Sequence, residues 1–234
     1  MQKATIVRVS GGGQPVEPLT QDIKIVTEGF TLAEVLITLG IIGIVAAMTL
    51  PTIVQKYRNQ VVETRLEKFY STINQAIRRA EVDYGDKSYW FENQSKLERH
   101  QWMKKYLLPY MKITKYEQVT GGTSGIMVYY LPDGSAFSSI NGGEVNRDWL
   151  FWPGNPDKCP NKDSSTGICR FWFFYSPTSD GFYKNKGLEP WRNGDTVEEF
   201  YDNCQNSKYR YNCAALIQAN GWKIPKNYPY KVRF

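Results

Sequence analysis

The hydrophobic pattern changes period twice along this chain. From Val35 to Gln55 no charged residue occurs, and the run is apolar on every side of a helix. About twenty residues at 1.5 Å rise each is the length that a bilayer-spanning helix needs. A lone segment crosses a bilayer only as a helix, because each backbone polar group must be satisfied within it. Beyond Pro51 a one-sided stripe takes over. Val54, Tyr57, Val61, Leu66, Phe69, Ile73, Ile77 and Ala80 recur at helical steps with Lys, Arg, Glu and Gln between them, which is the amphipathic pattern. Gly85 marks the predicted stop. Continuous helix from Phe30 to about Tyr84 would run on the order of 80 Å. Pro51, lacking an N–H, is expected to kink it.

Downstream the pattern is mixed. Residues 95–111 predict a second helix with Leu97, Met103, Tyr106, Leu107 and Tyr110 on its apolar side. Alternation then switches to the period of strands. Residues 126–131 and 135–140 read as a hairpin about Pro132-Asp133-Gly134, and 171–175 (FWFFY) as a central strand. Stretches 141–168 and 176–196 read as loops, 213–219 as a short helix capped by Asn220-Gly221, and 222–224 as a closing strand. The expected fold class is α+β: a long N-terminal helix packed on a small antiparallel sheet. Residues 1–29 are polar, carry Gly11-Gly12-Gly13 and two prolines, and have no net charge. They predict no folded unit.

Composition refines this picture in two places. Aromatic residues make up 15% of the chain, enough to build a core where Leu and Val are scarce. The net charge is +6, but no run of five basic residues occurs, so solvated surface explains it better than a nucleic-acid footprint. The four cysteines, Cys159, Cys169, Cys204 and Cys213, all fall in the second half. No pair is spaced C-x-x-C, and the single histidine, His100, lies far upstream, which disfavours zinc. Disulfides are the natural reading for a region outside the cytoplasm. Of three possible connectivities, the local one, Cys159–Cys169 with Cys204–Cys213, closes short loops and is the expectation.

Glu34 sits at the start of the apolar run, where an unpaired carboxylate is costly in a membrane. A plain anchor gains nothing from it. A subunit packed beside copies of itself could use it if a neighbour supplied a positive charge, and cleavage after Gly29 would create one, the amine of Phe30. With that, Gly29-Phe30-Thr31-Leu32-Ala33-Glu34-Val35-Leu36-Ile37 resembles the N-terminal signal of type IV prepilins and type II secretion pseudopilins. The resemblance covers about thirty residues, Gly29 to roughly Tyr57. It implies cutting by a membrane-embedded prepilin peptidase between Gly29 and Phe30, N-methylation of Phe30, and an assembly role for Glu34. Pro51 falls where many pilins carry a helix-disrupting proline. The implied partners are the peptidase, copies of the chain or other pilin-like subunits, an inner-membrane assembly platform and the lipid bilayer.

The domain expectation follows: 1–29 a removed leader, 30–54 the membrane and assembly helix, 55–84 its amphipathic continuation, and 85–234 an extracytoplasmic head. The chain would sit as a single pass in the inner membrane before entering a surface pilus or periplasmic pseudopilus. Two features depart from the family pattern. The leader is long and neutral, and Lys56, Arg58, Arg65 and Lys68 follow the span while Lys24 alone closely precedes it, against the positive-inside rule. A competing reading places an ordinary signal-peptidase site at Val45-Ala46-Ala47 and a mature start near Met48, which leaves Glu34 unexplained.

Catalytic constellations are not evident. No G-x-x-x-x-G-K-[ST] or G-x-G-x-x-G occurs, His100 reads as part of an exposed helix face, and the Glu198-Glu199 pair as surface. An enzyme is the least supported class, and no cofactor is expected. The oxygen-rich stretch from Asn155 to Gly167 offers Asp157 and Asp163 as candidate calcium ligands, since some pseudopilins bind calcium in a comparable loop. A hydrophilic disulfide-bounded turn is the plainer reading. Lys208, Tyr209, Arg210, Tyr211, Trp222, Lys223, Tyr228, Tyr230, Lys231 and Arg233 mix charge and rings as single-stranded nucleic-acid sites do. A packed, solvated C-terminal flap is preferred. The alternative to a filament subunit is therefore a membrane-anchored extracytoplasmic binding protein, an adhesin or DNA-uptake component.

Overall fold

The computed structural model describes residues 29–90, 99–119, 126–140, 147–206, 208 and 210–234. Outside them lie most of the expected leader, the start of the expected second helix with Leu97, part of the 141–168 stretch, and Tyr209. The chain divides into two units, residues 1–46 and 47–234. Of the first, the described part is Gly29, Phe30, Thr31 and the opening turns of helix α1, which spans Leu32–Tyr84 and continues through Pro51. Thr31 caps it and Gly85 ends it in the left-handed conformation, φ 76°, that glycine adopts without steric cost.

In the second unit, α1 packs on a six-stranded antiparallel meander. Its strands are β1 (Lys115–Val119), β2 (Ile126–Tyr130), β3 (Ala136–Ser139), β4 (Arg147–Trp152), β5 (Phe171–Tyr175) and β6 (Leu188–Pro190), in spatial order β1-β2-β3-β4-β5-β6. Helix α2 (Arg99–Tyr106) precedes the sheet, while α3 (Val197–Asn206) and α4 (Cys213–Ala219) follow it. The second helix ends earlier than expected because Pro109 interrupts it, leaving a separate 3-10 turn at Leu108–Tyr110.

The period-two rule decides what each strand buries. Register places Tyr129, Phe137, Phe151 and Phe171 opposite one another across four strands. This aromatic row faces α1, whose buried stripe is Val62, Leu66, Phe69, Ile73, Ala76, Ile77 and Ala80. Phe69 enters the row, stacked on Phe151 at 4.4 Å and within 5.1–5.4 Å of Phe173 and Phe137. A fully buried ring of this kind contributes about 3–5 kcal/mol against its alanine substitute. The stripe differs from expectation at its start: Val54 and Tyr57 are exposed, and Val62 rather than Val61 opens the buried face.

The opposite face of the sheet is also covered. Val128, Ala136, Leu150 and Trp152 pack with Cys159 and Cys169 in a second apolar cluster. A disulfide joins Cys159 to Cys169 there, and another joins Cys204 of α3 to Cys213 of α4. Both pairs are the local ones. Three expected loops or strands take other forms. Strand β4 forms within the 141–168 stretch and β6 within 176–196, and residues 222–224 are not a strand, since Trp222 itself has φ 62°.

Candidate functional site

The candidate site is the first half of α1 with the residues that open it. From Phe30 to Val54 each large apolar side chain is exposed, from 41% at Val35 to 87% at Phe30. A soluble core helix would hide one stripe of these. Here the segment is long and apolar enough to cross a membrane, and none of its best window is buried.

Glu34 has an intramolecular role that the sequence reading missed. Its Oε2 accepts from the Thr31 backbone N–H at 2.8 Å and from Thr31 Oγ1 at 2.9 Å, while Thr31 Oγ1 accepts from the Glu34 N–H at 3.2 Å. That is a reciprocal capping box. Its signal was present in the spacing Thr31-x-x-Glu34. A plain anchor helix therefore has a use for this glutamate, and the presence of Glu34 alone does not discriminate between anchor and polymer. Thr38 Oγ1 continues the local pattern by donating to the Glu34 carbonyl at 2.9 Å. Gly29 and Phe30 precede the helix, with Phe30 open to solvent. Pro51 lies inside α1 and denies the Ala47 carbonyl its usual amide donor.

The basic residues after the span separate into two groups. Arg65 donates to the carbonyls of Pro153 and Asp133, and Lys68 pairs with Asp133 at 3.0 Å. These two charges dock the helix to the β2–β3 turn and to the end of β4. Lys56 and Arg58 remain exposed.

Oxygen donors in the 155–167 loop serve this chain's own groups. Arg170 is buried and donates from Nη1 to Asn161 Oδ1 at 3.0 Å, from Nε to Thr166 Oγ1 at 3.2 Å and from Nη2 toward Asp163 Oδ1 at 3.5 Å. Burial lowers its pKa, partly opposed by Asp163 and Tyr211. Asn155 Oδ1 caps its own turn by accepting from the Asp157 N–H at 3.0 Å. The guanidinium lies beside Asp163, and among the described residues no group of three or more His, Cys, Asp or Glu side chains is placed to hold a metal.

The basic–aromatic tail is similarly engaged. Tyr228 donates to the Gly167 carbonyl at 2.8 Å and Tyr230 to the Cys204 carbonyl at 3.0 Å. Tyr211 lies 4.7 Å from both Trp172 and Trp191, Trp222 packs 5.1 Å from Tyr70, and Arg210 covers the Tyr230 ring at 4.2 Å. Rings held this way are not a free stacking platform for bases. His100 also departs from expectation. It is half-buried, with Nδ1 2.9 Å from Tyr129 Oη and its ring 4.5 Å from Tyr116. Burial, then Lys104, lowers its pKa.

Fold and site thus define a class: an α+β domain with two disulfides, built on the second half of a helix whose first half is apolar and uncovered. Residues 52–232 match a family of unknown function, DUF6613, and the chain belongs to that family. The match spans the domain and leaves the motif at Gly29 to Glu34 outside it. No curated protein and no solved structure matches the chain.

Proposed function

We propose that this protein is a structural subunit of a type IV pilus-like filament or a type II secretion pseudopilus, processed between Gly29 and Phe30. The observation that carries the reading is the uncovered apolar helix beginning three residues after Gly29. Of positions 30–54 all but Ala46 are exposed, and they need a covering that the described residues do not supply. A bilayer covers them before assembly, and copies of the same helix cover them afterwards. The two disulfides support a head outside the cytoplasm, where such bonds persist. The N-terminal amine of Phe30 from a neighbouring copy is the counter-charge for Glu34, and Phe30 carries the methyl group added on processing.

Because Glu34 also caps α1, its substitution needs a control. Thr31→Ala breaks the capping box and keeps the carboxylate, whereas Glu34→Ala removes both. In cells carrying the assembly machinery, the account expects Thr31→Ala to enter sheared filament or pseudopilus fractions and Glu34→Ala to be processed and inserted but not assembled. Equal assembly of both with the unchanged chain contradicts polymerisation through Glu34 and leaves an anchored binding head. Equal loss in both assigns Glu34 to capping alone.

A further inference from the structure

The segment 203–234 contains no acidic residue and six basic ones, and 46–62 contains none that is acidic either. The structure brings the ends of these two segments together. Val232 is buried and its carbonyl accepts from Gln55 Nε2 at 3.2 Å. The Phe234 ring meets Tyr57 edge-on at 6.1 Å and lies 5.1 Å beneath the Arg65 guanidinium carbon. Arg233 donates its backbone N–H to the Ile168 carbonyl at 3.0 Å, fixing the strand-like tail from its other side. With Val232 turned inward, Lys231 and Arg233 are exposed, as are Lys56 and Arg58 on the helix. The first carboxylate beyond this stretch, Glu63, is taken by Lys223 at 3.2 Å and by the Ile224 N–H at 2.9 Å.

We propose that Lys56, Tyr57, Arg58, Lys231, Arg233 and Phe234 form a collar that binds anionic phospholipid headgroups at the rim of the head. The proposal rests on the reading of 30–54 as a bilayer span. Arg58 lies four residues past Val54, about 6 Å along the helix, which is headgroup depth. Exposed rings beside fixed cations suit that layer, where aromatic side chains concentrate and a negative surface attracts basic side chains. The tail brings two charges to a level where the helix alone would present two, and no acidic side chain of either segment neutralises them. A phosphate diester on a lipid fits this arrangement because the apolar span delivers the collar to it; a soluble anion would meet an open rim without enclosing walls.

The test uses the full chain reconstituted in phosphatidylcholine bilayers, with spin-labelled phosphatidylglycerol or spin-labelled phosphatidylcholine added as probe. The motionally restricted fraction of each probe gives its relative association with the protein. The expected preference for phosphatidylglycerol is about fivefold at low salt, the factor one basic side chain at an anionic surface supplies. It should fall toward one in about 1 M salt and in the Lys56→Gln, Arg58→Gln, Lys231→Gln, Arg233→Gln variant. Equal association of both probes with the unchanged chain overturns the collar, and so does a preference that survives both salt and the four substitutions. Absence of a restricted component with either probe overturns the span reading instead, since the chain is then not in the bilayer.

Discussion

Asn74 pairs with Leu188 as a neighbouring strand would. Its Oδ1 accepts from the Leu188 N–H at 3.0 Å, and its Nδ2 donates to the Leu188 carbonyl at 2.9 Å and to the Tyr70 carbonyl at 3.0 Å. Strand β6 is the last of the sheet, so its outer backbone groups lack a strand partner. A side-chain amide from α1 supplies one, and Pro190 closes the same edge by having no N–H to offer.

This clamp predicts a steep cost for small changes. Asn74→Ala leaves buried backbone groups of Leu188 unpaired, at about 1–3 kcal/mol for each. Gly187→Ala drives a Cβ into Asn74 Oδ1, which forces the clamp apart and costs about 1–3 kcal/mol. Denaturant unfolding of the full chain in detergent, followed by tryptophan fluorescence, measures both. Unchanged midpoints would show that β6 is held by other means.

The Cys204–Cys213 bridge joins α3 to α4 across a separation of nine residues, and both sulfurs are buried. Removing a loop of this size from the unfolded ensemble corresponds to about 3 kcal/mol. The double Cys204→Ser, Cys213→Ser variant should lose a stability of that order, and reductant should leave the folded chain's thiols unreactive toward a maleimide until denaturant is added. Rapid labelling of the folded chain would contradict this burial.

Arg170 already supplies the cation of the 155–167 loop. Millimolar calcium is therefore expected to leave the melting temperature of the unchanged protein where it is, since a ligand that binds only the folded state would raise it. Arg170→Leu, which takes the Arg170 donors from Asn161 and Thr166 and leaves Thr166 the Trp172 indole N–H, should destabilise by about 1–3 kcal/mol. A calcium-dependent rise in the unchanged protein would restore Asp157 and Asp163 as ligands.

Asp133 gives the fold an acid-sensitive turn. Burial alone would raise its pKa, but the Ser135 hydroxyl, Lys68 and the Ser135 N–H outweigh that and hold it below its ordinary value of 3.8. The unfolded chain then binds the proton more readily than the folded one. The contribution is present above the ordinary value and is lost as pH falls from there through the folded pKa. The urea midpoint of the unchanged protein should exceed that of Asp133→Asn near pH 7, roughly, and the gap should close in acid below the carboxylate range. A gap that widens in acid would reverse the assignment.

Much of the architecture was legible because periodicity and capping carry it. The change from an all-round apolar run to a one-sided stripe located both halves of α1, and FWFFY located β5. What escaped depends on long-range partners. Strand β1, KYEQV, is exposed along most of its length and has no apolar alternation to read; it exists because β2 offers an edge. Strand β6 has three residues and depends on Asn74, more than a hundred positions away. Strand β4 did carry a signal in Trp149-Leu150-Phe151-Trp152, obscured by the Gly- and Asn-rich stretch before it. Helix α3 was announced by Thr196-x-x-Glu199, a second capping box in which Glu199 Oε2 accepts from the Thr196 N–H at 3.0 Å. At the candidate site, Gly29, Phe30 and Glu34 stood out by their order. Thr31 did not, although the spacing Thr31-x-x-Glu34 carried the capping signal.

The central claim concerns what happens between Gly29 and Phe30. Mass spectrometry of the protein recovered from the cell envelope, with its N-terminal peptide sequenced, tests it directly. The account predicts a chain that begins at Phe30 and carries an N-methyl group. A chain beginning at Met48 would mean ordinary secretion, and one retaining residues 1–29 an uncleaved anchor; either contradicts the filament-subunit account.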